Sequence, residues 1–449
     1  MSKDSQRNIM ISQPVSTLVL RLAFPTVLTQ LITVMYNTVD TWFVSRISTS
    51  ASAAVGVVYA LMAIIQAIGY GFGMGAGNLL SKKLGAREDK DSPNIVASAM
   101  IGGIGAGFLI QFFGLLFLRP LMRMLGATPT MLEDACSYAT YILIAAPIMC
   151  GTFVLNLLLR SEGFAKYSMI GLCSGGILNV LLDPLLINTF QLGITGAAIA
   201  TAVSQAISFV LLWVLFREKS IVPFQYKQFT FRCVPHILTN GVPTICRQSL
   251  GSIATALLNN QAALYGDAAV AAMTIVNKVY TLVRNIILGI GQGFQPIAGY
   301  NYGAQRYDRT KKAFLFTTCL GTALGLAFAI AILPNIGSII CWFRDDPAVV
   351  EIGKKGLLMS CILMPFLAYP TYVNQMLQSI GLKWQATIMA SSRQGICFIP
   401  LIVFLPMIYN LTGIQLAQPL ADLSTFLISI PFQWMAFHKK LKLIDADRS

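Results

Sequence analysis

The chain has 449 residues, 55% of them hydrophobic and only 11% charged, with a mean hydropathy of +0.68 and a formal net charge of +14. Soluble domains carry roughly a quarter charged residues, so the deficit excludes an ordinary soluble globule and points to a bilayer. The basic excess lies in short polar connections between long apolar runs, with no nucleic-acid motif beside it, which makes membrane topology rather than nucleic acid its cause.

Met1 to Pro14 is polar and lacks an apolar core followed by a cleavage site, so no removable signal peptide is expected. Crossing ~30 Å of hydrocarbon takes about 20 apolar residues. Runs of that length predict twelve transmembrane helices, at 15–45, 52–81, 94–118, 132–159, 165–188, 193–216, 235–264, 268–300, 311–333, 353–378, 384–408 and 411–437. Twelve spans put both termini on one side. The connections expected on that side hold Lys82, Lys83, Arg87, Lys90, Arg160, Lys166, Arg217, Lys219, Lys227, Arg232, Arg306, Arg309, Lys311, Lys312 and Lys383, and the tail adds Lys439, Lys440, Lys442 and Arg448. The opposite connections offer only Arg46, Arg119, Arg123, Arg344, Lys354 and Lys355. This bias places both termini in the cytoplasm. The polar segment Arg344 to Lys355 then reads as an external solvated loop.

A shift of 218 residues lays Pro25-Thr26 on Pro243-Thr244, Gln30 on Gln248, Gly85-Ala86 on Gly303-Ala304, and Gly71, Gly73 and Gly75 on Gly289, Gly291 and Gly293. Thr195-Gly196 continues the register on Thr412-Gly413 through one deletion. The expected architecture is therefore an all-α integral membrane protein: two parallel six-helix lobes, 1–222 and 223–449, related by a pseudo-two-fold axis along the membrane normal around a central cleft. Arg217 to Cys233 is the linker. The two GxGxG runs sit inside apolar helices with no preceding strand, so they predict close helix packing or local bending, not nucleotide binding. Nine cysteines form no CxxC pair and no even framework, and read as small core residues.

Acids inside apolar spans are expensive and mark ion or substrate pathways. Asp40 shares a helix face with Tyr36, and Asp183 with Asn179, each pair four residues apart. Pro184 removes a backbone donor, bends the helix and frees a carbonyl near Val180. With Thr201 from the sixth helix, these groups predict one polar pocket in the first lobe. Two desolvated carboxyls resist ionising together, and a proton, a sodium ion or a cationic substrate each relieves the repulsion. Competition among them is coupling. The bland alternative is interhelical hydrogen bonding at ~0.6 kcal/mol per bond, for which asparagine would serve as well.

The duplication supplies an internal control, because Asp40 maps onto Leu258 and Asp183 onto Pro400. The second lobe instead carries Arg247, Lys278, Arg284 and Arg393 in its spans, with Asp422 as the acid among them. Asp422 is expected to pair with one of these bases, as a structural element or as a gate.

The runs Met35-Tyr36-Asn37-Thr38-Val39-Asp40-Thr41, Asn179-Val180-Leu181-Leu182-Asp183-Pro184 and Gln295-Pro296-Ile297-Ala298-Gly299-Tyr300-Asn301-Tyr302-Gly303-Ala304 resemble the multidrug and toxin extrusion (MATE) family, in its bacterial DinF/MepA-like branch. The resemblance covers nearly the whole chain. It implies a twelve-helix antiporter that expels amphipathic, often cationic compounds in exchange for protons or sodium ions across the bacterial inner membrane. Its coupling residues match Tyr36, Asp40, Asn179, Asp183 and Thr201, with a possible sodium position at Asp40, Asn179 and Asp183. The NorM-like branch emphasises acids in the seventh and tenth helices, and 235–264 and 353–378 contain none.

Three rivals remain on the residues. A flippase for a lipid-linked saccharide would need cationic partners for pyrophosphate, and here the bases occupy one lobe. An intramembrane enzyme could use paired aspartates, but the chain has two histidines, His236 and His438, both near helix ends, and no HExxH, phosphate loop or nucleophile motif. A channel would distribute its polar groups symmetrically. The expected partners are small amphipathic substrates and the lipid bilayer, with no cofactor beyond the coupling ion, no nucleic acid and no obligate protein partner.

Overall fold

The computed structural model describes residues 3–441, so Lys442 and Arg448 of the basic tail lie outside the described residues. Among these residues no strand occurs. The helices in chain order are α1 Lys3–Ser12, α2 Val15–Ser45, α3 Thr49–Ala86, α4 Ser92–Leu116, α5 Leu118–Met124, α6 Leu132–Ser161, α7 Ala165–Pro184 and α8 Gly193–Lys219. They continue as α9 Cys233–Ala263, α10 Asp267–Gly303, α11 Tyr307–Ile332, α12 Ile336–Phe343, α13 Pro347–Leu363, α14 Ala368–Ile380, α15 Lys383–Ser391 and α16 Phe398–Met435.

Ten helical stretches are long and apolar enough to cross a membrane. Two facts bring the spanning helices to twelve. The 31 residues of α9 are ample for a crossing although Arg247 and Asn259-Asn260 lower its apolarity. The stretch 383–440 also folds back on itself at Asn410, whose φ of 50° and ψ of −134° interrupt the helix. Arg393 and Asp422 meet at 2.7 Å, although 29 residues of straight helix would hold them about 43 Å apart.

The duplication is visible in the backbone. Left-handed residues recur 218 positions apart, Arg87 (φ 61°) with Gln305 (φ 58°) and Gly163 (φ 89°) with Gly381 (φ 85°). The same tertiary hydrogen bond is also made twice, Asn156 Nδ2 donating to Ser168 O at 3.0 Å and Asn374 Nδ2 to Ala386 O at 2.7 Å.

Two compact units result, one of residues 1–12 and 28–245, the other of 13–27 and 246–449. They depart from a division at 222/223 because each unit takes up the N-terminal half of the first helix of the other repeat. In the first unit α9 lies against α3 at the glycine run: a Cβ on Gly71 would stand 2.5 Å from Ile245 Cγ1, and one on Gly75 would overlap Ile237 O. In the second unit α2 lies against α10, where a Cβ on Gly293 would stand 2.6 Å from Ala23 Cα and one on Gly289 2.8 Å from Val27 Cα. Thr26 Oγ1 adds a hydrogen bond to Gly289 O at 2.6 Å. Without an interhelical hydrophobic effect in lipid, such close approach is what holds helices together. Gly75→Val is therefore expected to lower the melting temperature by several degrees, since overpacking costs about 1–3 kcal/mol and the atom met is backbone. Gly56→Val is the control, with nothing within 4 Å of its Cβ position; equal melting of the two variants would refute the packing role.

At one end of the first unit, α1 and the linker are tied to the α6–α7 turn. Glu162, fully buried, accepts hydrogen bonds from Ser220 Oγ at 2.8 Å and Ile221 N at 2.9 Å, while its own carbonyl accepts from Gln6 Nε2 at 3.1 Å. Arg7 reaches Gly85 O at 2.7 Å in the same region. Arg160, expected among the solvated basic residues, is instead 6% exposed, with a guanidinium nitrogen 3.2 Å from Met74 Sδ. The last turn of α6 lies inside the unit rather than at its surface.

Candidate functional site

Small residues on α7 bring the first-unit polar groups together. A Cβ on Gly176 would stand 2.9 Å from the ring of Tyr36 on α2, and one on Gly175 2.8 Å from Ser208 Cβ on α8, so these adjacent glycines let α2 and α8 approach α7 from two sides. Ser208 Oγ also donates to Gly171 O at 2.7 Å. Asn179 Nδ2 is 3.3 Å from Asp183 Oδ1 and 3.4 Å from Thr201 Oγ1, bridging α7 and α8. Asp183 is 0% exposed, and Asn179 and Thr201 are buried with it.

Asp40, half-buried one turn after Tyr36, lies within electrostatic reach of Asp183 and of the Tyr36 phenol. Asp40 Oδ1 and Asp183 Oδ2 are both buried and receive no hydrogen bond. A buried carboxylate oxygen without a donor is costly. Proton uptake by either group, or a cation held between them, removes that cost. Among the described residues no group of three or more His, Cys, Asp or Glu is placed to hold a metal ion; a sodium ion here would draw on oxygens of Asp40, Asn179 and Asp183.

Pro184 closes α7 and opens a π-helical turn, Leu185–Thr189. Leu185 N donates back three residues to Leu182 O, and Phe190 N five residues to Leu185 O. The missing proline N–H thus coincides with a change of helical pitch directly after Asp183. At Pro25, by contrast, α2 runs through without interruption.

Tyr138 on α6 joins this cluster without a sequence signal of its own. Its buried hydroxyl sits beside Thr201 without a hydrogen bond of standard geometry, in electrostatic reach of both aspartates. It stands in a span so thoroughly apolar and buried that no local signal separated it from a packing aromatic.

The second unit builds a different cluster. Asp422 Oδ1 accepts from Arg393 Nε at 2.7 Å and from Gln418 Nε2 at 3.0 Å, while the Tyr280 hydroxyl donates to Asp422 Oδ2 and accepts from Arg393. Arg393 is thus the base that meets Asp422. It lies in a π-helical segment, Ser392–Cys397, between α15 and α16. Arg284 of α10 and Arg247 of α9 line a cavity of about 60 Å³ together with Arg393. Lys278 is exposed and lies outside that lining. Tyr280, the centre of the network, was not singled out in the sequence; its spacing of four from Arg284 was the available signal.

Comparison with known proteins agrees with this architecture. The MatE family model matches residues 25–185 and 243–404, two copies whose starts are 218 residues apart. Multidrug export protein MepA of Staphylococcus aureus (strain MRSA252) is 27% identical over 439 residues, covering 95% of this chain and 96% of that protein. A MATE family transporter of the MOP superfamily in an outward-facing conformation superposes with a TM-score of 0.91 at 23% identity, covering 96% of this chain and 98% of the other. A MOP superfamily transporter from Pyrococcus furiosus, described by the reverse polarity of its binding pocket, gives 0.90 at 23% identity, with 97% and 98% covered. Two matched repeats, coverage of nearly the whole chain and the shared twelve-helix fold make this multi-pass membrane protein a transporter, not an enzyme, and it belongs to the MatE family.

Proposed function

We propose that the chain exports amphipathic, often cationic drugs or toxins by cation-coupled antiport, with protons as the coupling ion, through alternating access in a bacterial inner membrane. The observation that carries this is the pair of buried, donor-free oxygens Asp40 Oδ1 and Asp183 Oδ2. Two carboxylates within electrostatic reach of each other in a low-dielectric site favour uptake of one positive charge, and a proton supplies it with the least displacement of neighbours. Asn179 and Thr201 orient Asp183, and Tyr36 and Tyr138 wall the pair in. A proton taken from outside and released inside then drives outward movement of a substrate whose binding it excludes.

The coupling site belongs to the repeat 1–222, and both termini lie in the cytoplasm. In support, α1, the C-terminal end of α3, the α6–α7 turn and the residues after α8 are joined through Arg7, Gln6 and Glu162, which gathers Lys82, Lys83, Lys166 and Lys219 at one end. No cofactor or obligate protein partner enters the mechanism.

The test is reconstitution in liposomes with a fluorescent amphipathic cation under imposed gradients. Movement driven by a pH gradient, and unaffected by a sodium gradient alone, is expected. Sodium-only driving would replace the proton as coupling ion, and absence of movement under either gradient would overturn the cationic-drug assignment.

A further inference from the structure

We propose that the cavity formed by Arg247, Arg284 and Arg393 binds the anionic head of an amphipathic molecule, a sulfonate, carboxylate or phosphate group. The inference rests on the transporter assignment and names a second class of cargo, or cargo moiety, for it. Nothing in the paired aspartates of the first unit requires this site.

Charge comes first. Three guanidiniums line the cavity and no acid does. Asp422 is the acid bonded to one of them, and it already accepts hydrogen bonds from Arg393, Gln418 and Tyr280. The other described acids of the second unit sit far from mid-span: Asp267 opens α10, Asp308 is second in α11, and Asp345, Asp346 and Glu351 flank the start of α13. One carboxylate against three guanidiniums leaves a net positive charge at membrane depth. Arg284 lies within electrostatic reach of both other arginines, and its Nε is buried without a hydrogen bond. Like charges crowded into a low-dielectric site repel, and an entering anion turns that repulsion into attraction.

Donor supply comes second. Thr371, Asn374 and Thr425 also line the cavity, but each already donates to a backbone carbonyl, of Leu367 at 2.7 Å, Ala386 at 2.7 Å and Ala421 at 2.7 Å respectively. Gln394 also lines the cavity and can add an amide donor, but the guanidiniums alone bring charge, and their planar forks match the oxygens of carboxylate, sulfonate and phosphate.

Size and lining give the rest. About 60 Å³ suits a head group, whereas drug-sized ligands fill roughly 300–1,000 Å³. Leu288, Pro370 and Met389 line the same cavity and suit the apolar part adjoining that head.

The test uses the purified full chain in a neutral maltoside detergent, titrated with 1-anilinonaphthalene-8-sulfonate or with N-phenyl-1-naphthylamine, the same rings without the sulfonate. Melting is followed by intrinsic tryptophan fluorescence. A saturable rise with the sulfonate and none with the neutral compound is expected, and Arg284→Gln and Arg247→Gln should each raise the half-saturating concentration at least tenfold. Arg284→Lys, which keeps the charge, should lose less. An equal rise with both compounds, no rise with the sulfonate, or an unchanged half-saturation in folded Gln variants would overturn the proposal. Competition by phosphatidylglycerol would assign the site to a lipid head group, and competition by inorganic phosphate to a free anion; either keeps an anion site. No gradient is needed for this measurement. Failure of ion coupling in liposomes would leave it intact, and failure here would leave the aspartate site untouched.

Discussion

Asp183→Asn is expected to abolish pH-gradient-driven movement of an amphipathic cation, by at least a hundredfold, in a protein that remains folded. The asparagine keeps an oxygen for the contact with Asn179 Nδ2 and places its amide where Oδ2 now receives no donor, so little packing or hydrogen bonding is lost. What disappears is the titrating charge. Asp40→Asn should have the same effect, since one carboxylate alone lacks the like-charge partner that makes uptake and release of a proton responsive to substrate. Because the two act as one site, the double variant should be no worse than either single one, a departure from additivity that independent roles would not produce. Melting within a few degrees of wild type, with gradient-driven movement lost, separates a coupling role from a structural one. Wild-type transport in both variants would reduce the aspartates to interhelical hydrogen-bonding groups.

Much of this was legible because membranes impose few options. Span length, the charge deficit and the offset of 218 lead directly to twelve helices in two repeats, and the comparison of Asp40 with Leu258 shows which repeat carries the acids. Partner choice was not legible. A glycine run announces close approach but not to what, and here Gly71 and Gly75 face α9 while Gly73 faces Leu157 of α6. The exchange of half-helices between units follows from that approach and from no periodicity along the chain. The burial of Arg160 was not legible for a related reason: a basic residue beside a polar turn reads as solvated unless the packing around the turn is known. Tyr138 and Tyr280 were silent because an aromatic in an apolar span normally needs no explanation. Only the charges that converge on them mark them out.

Asp422→Asn is expected to destabilise the second unit by about 3–5 kcal/mol, the usual cost of removing one partner from a buried ion pair. At roughly 2–4 °C per kcal/mol for a unit of this size, the melting temperature should fall by at least ~6 °C. The loss is large because Asp422 is 3% exposed, bonds Arg393 and lies within electrostatic reach of Arg284 as well. Replacing the pair together, Arg393→Met with Asp422→Leu, should recover part of the loss by removing a buried charge along with its partner. An Asp422→Asn protein that melts with the wild type would show that water already reaches the pair and screens it. The same substitution has an opposite expected effect on ligand. With the carboxylate gone, Arg393 is released and the cavity becomes more positive, so the sulfonate probe should bind more tightly as the protein becomes less stable. A fall in melting temperature without that gain in affinity would confine Asp422 to holding α16 against α10, and would separate the ion pair from the anion site beside it.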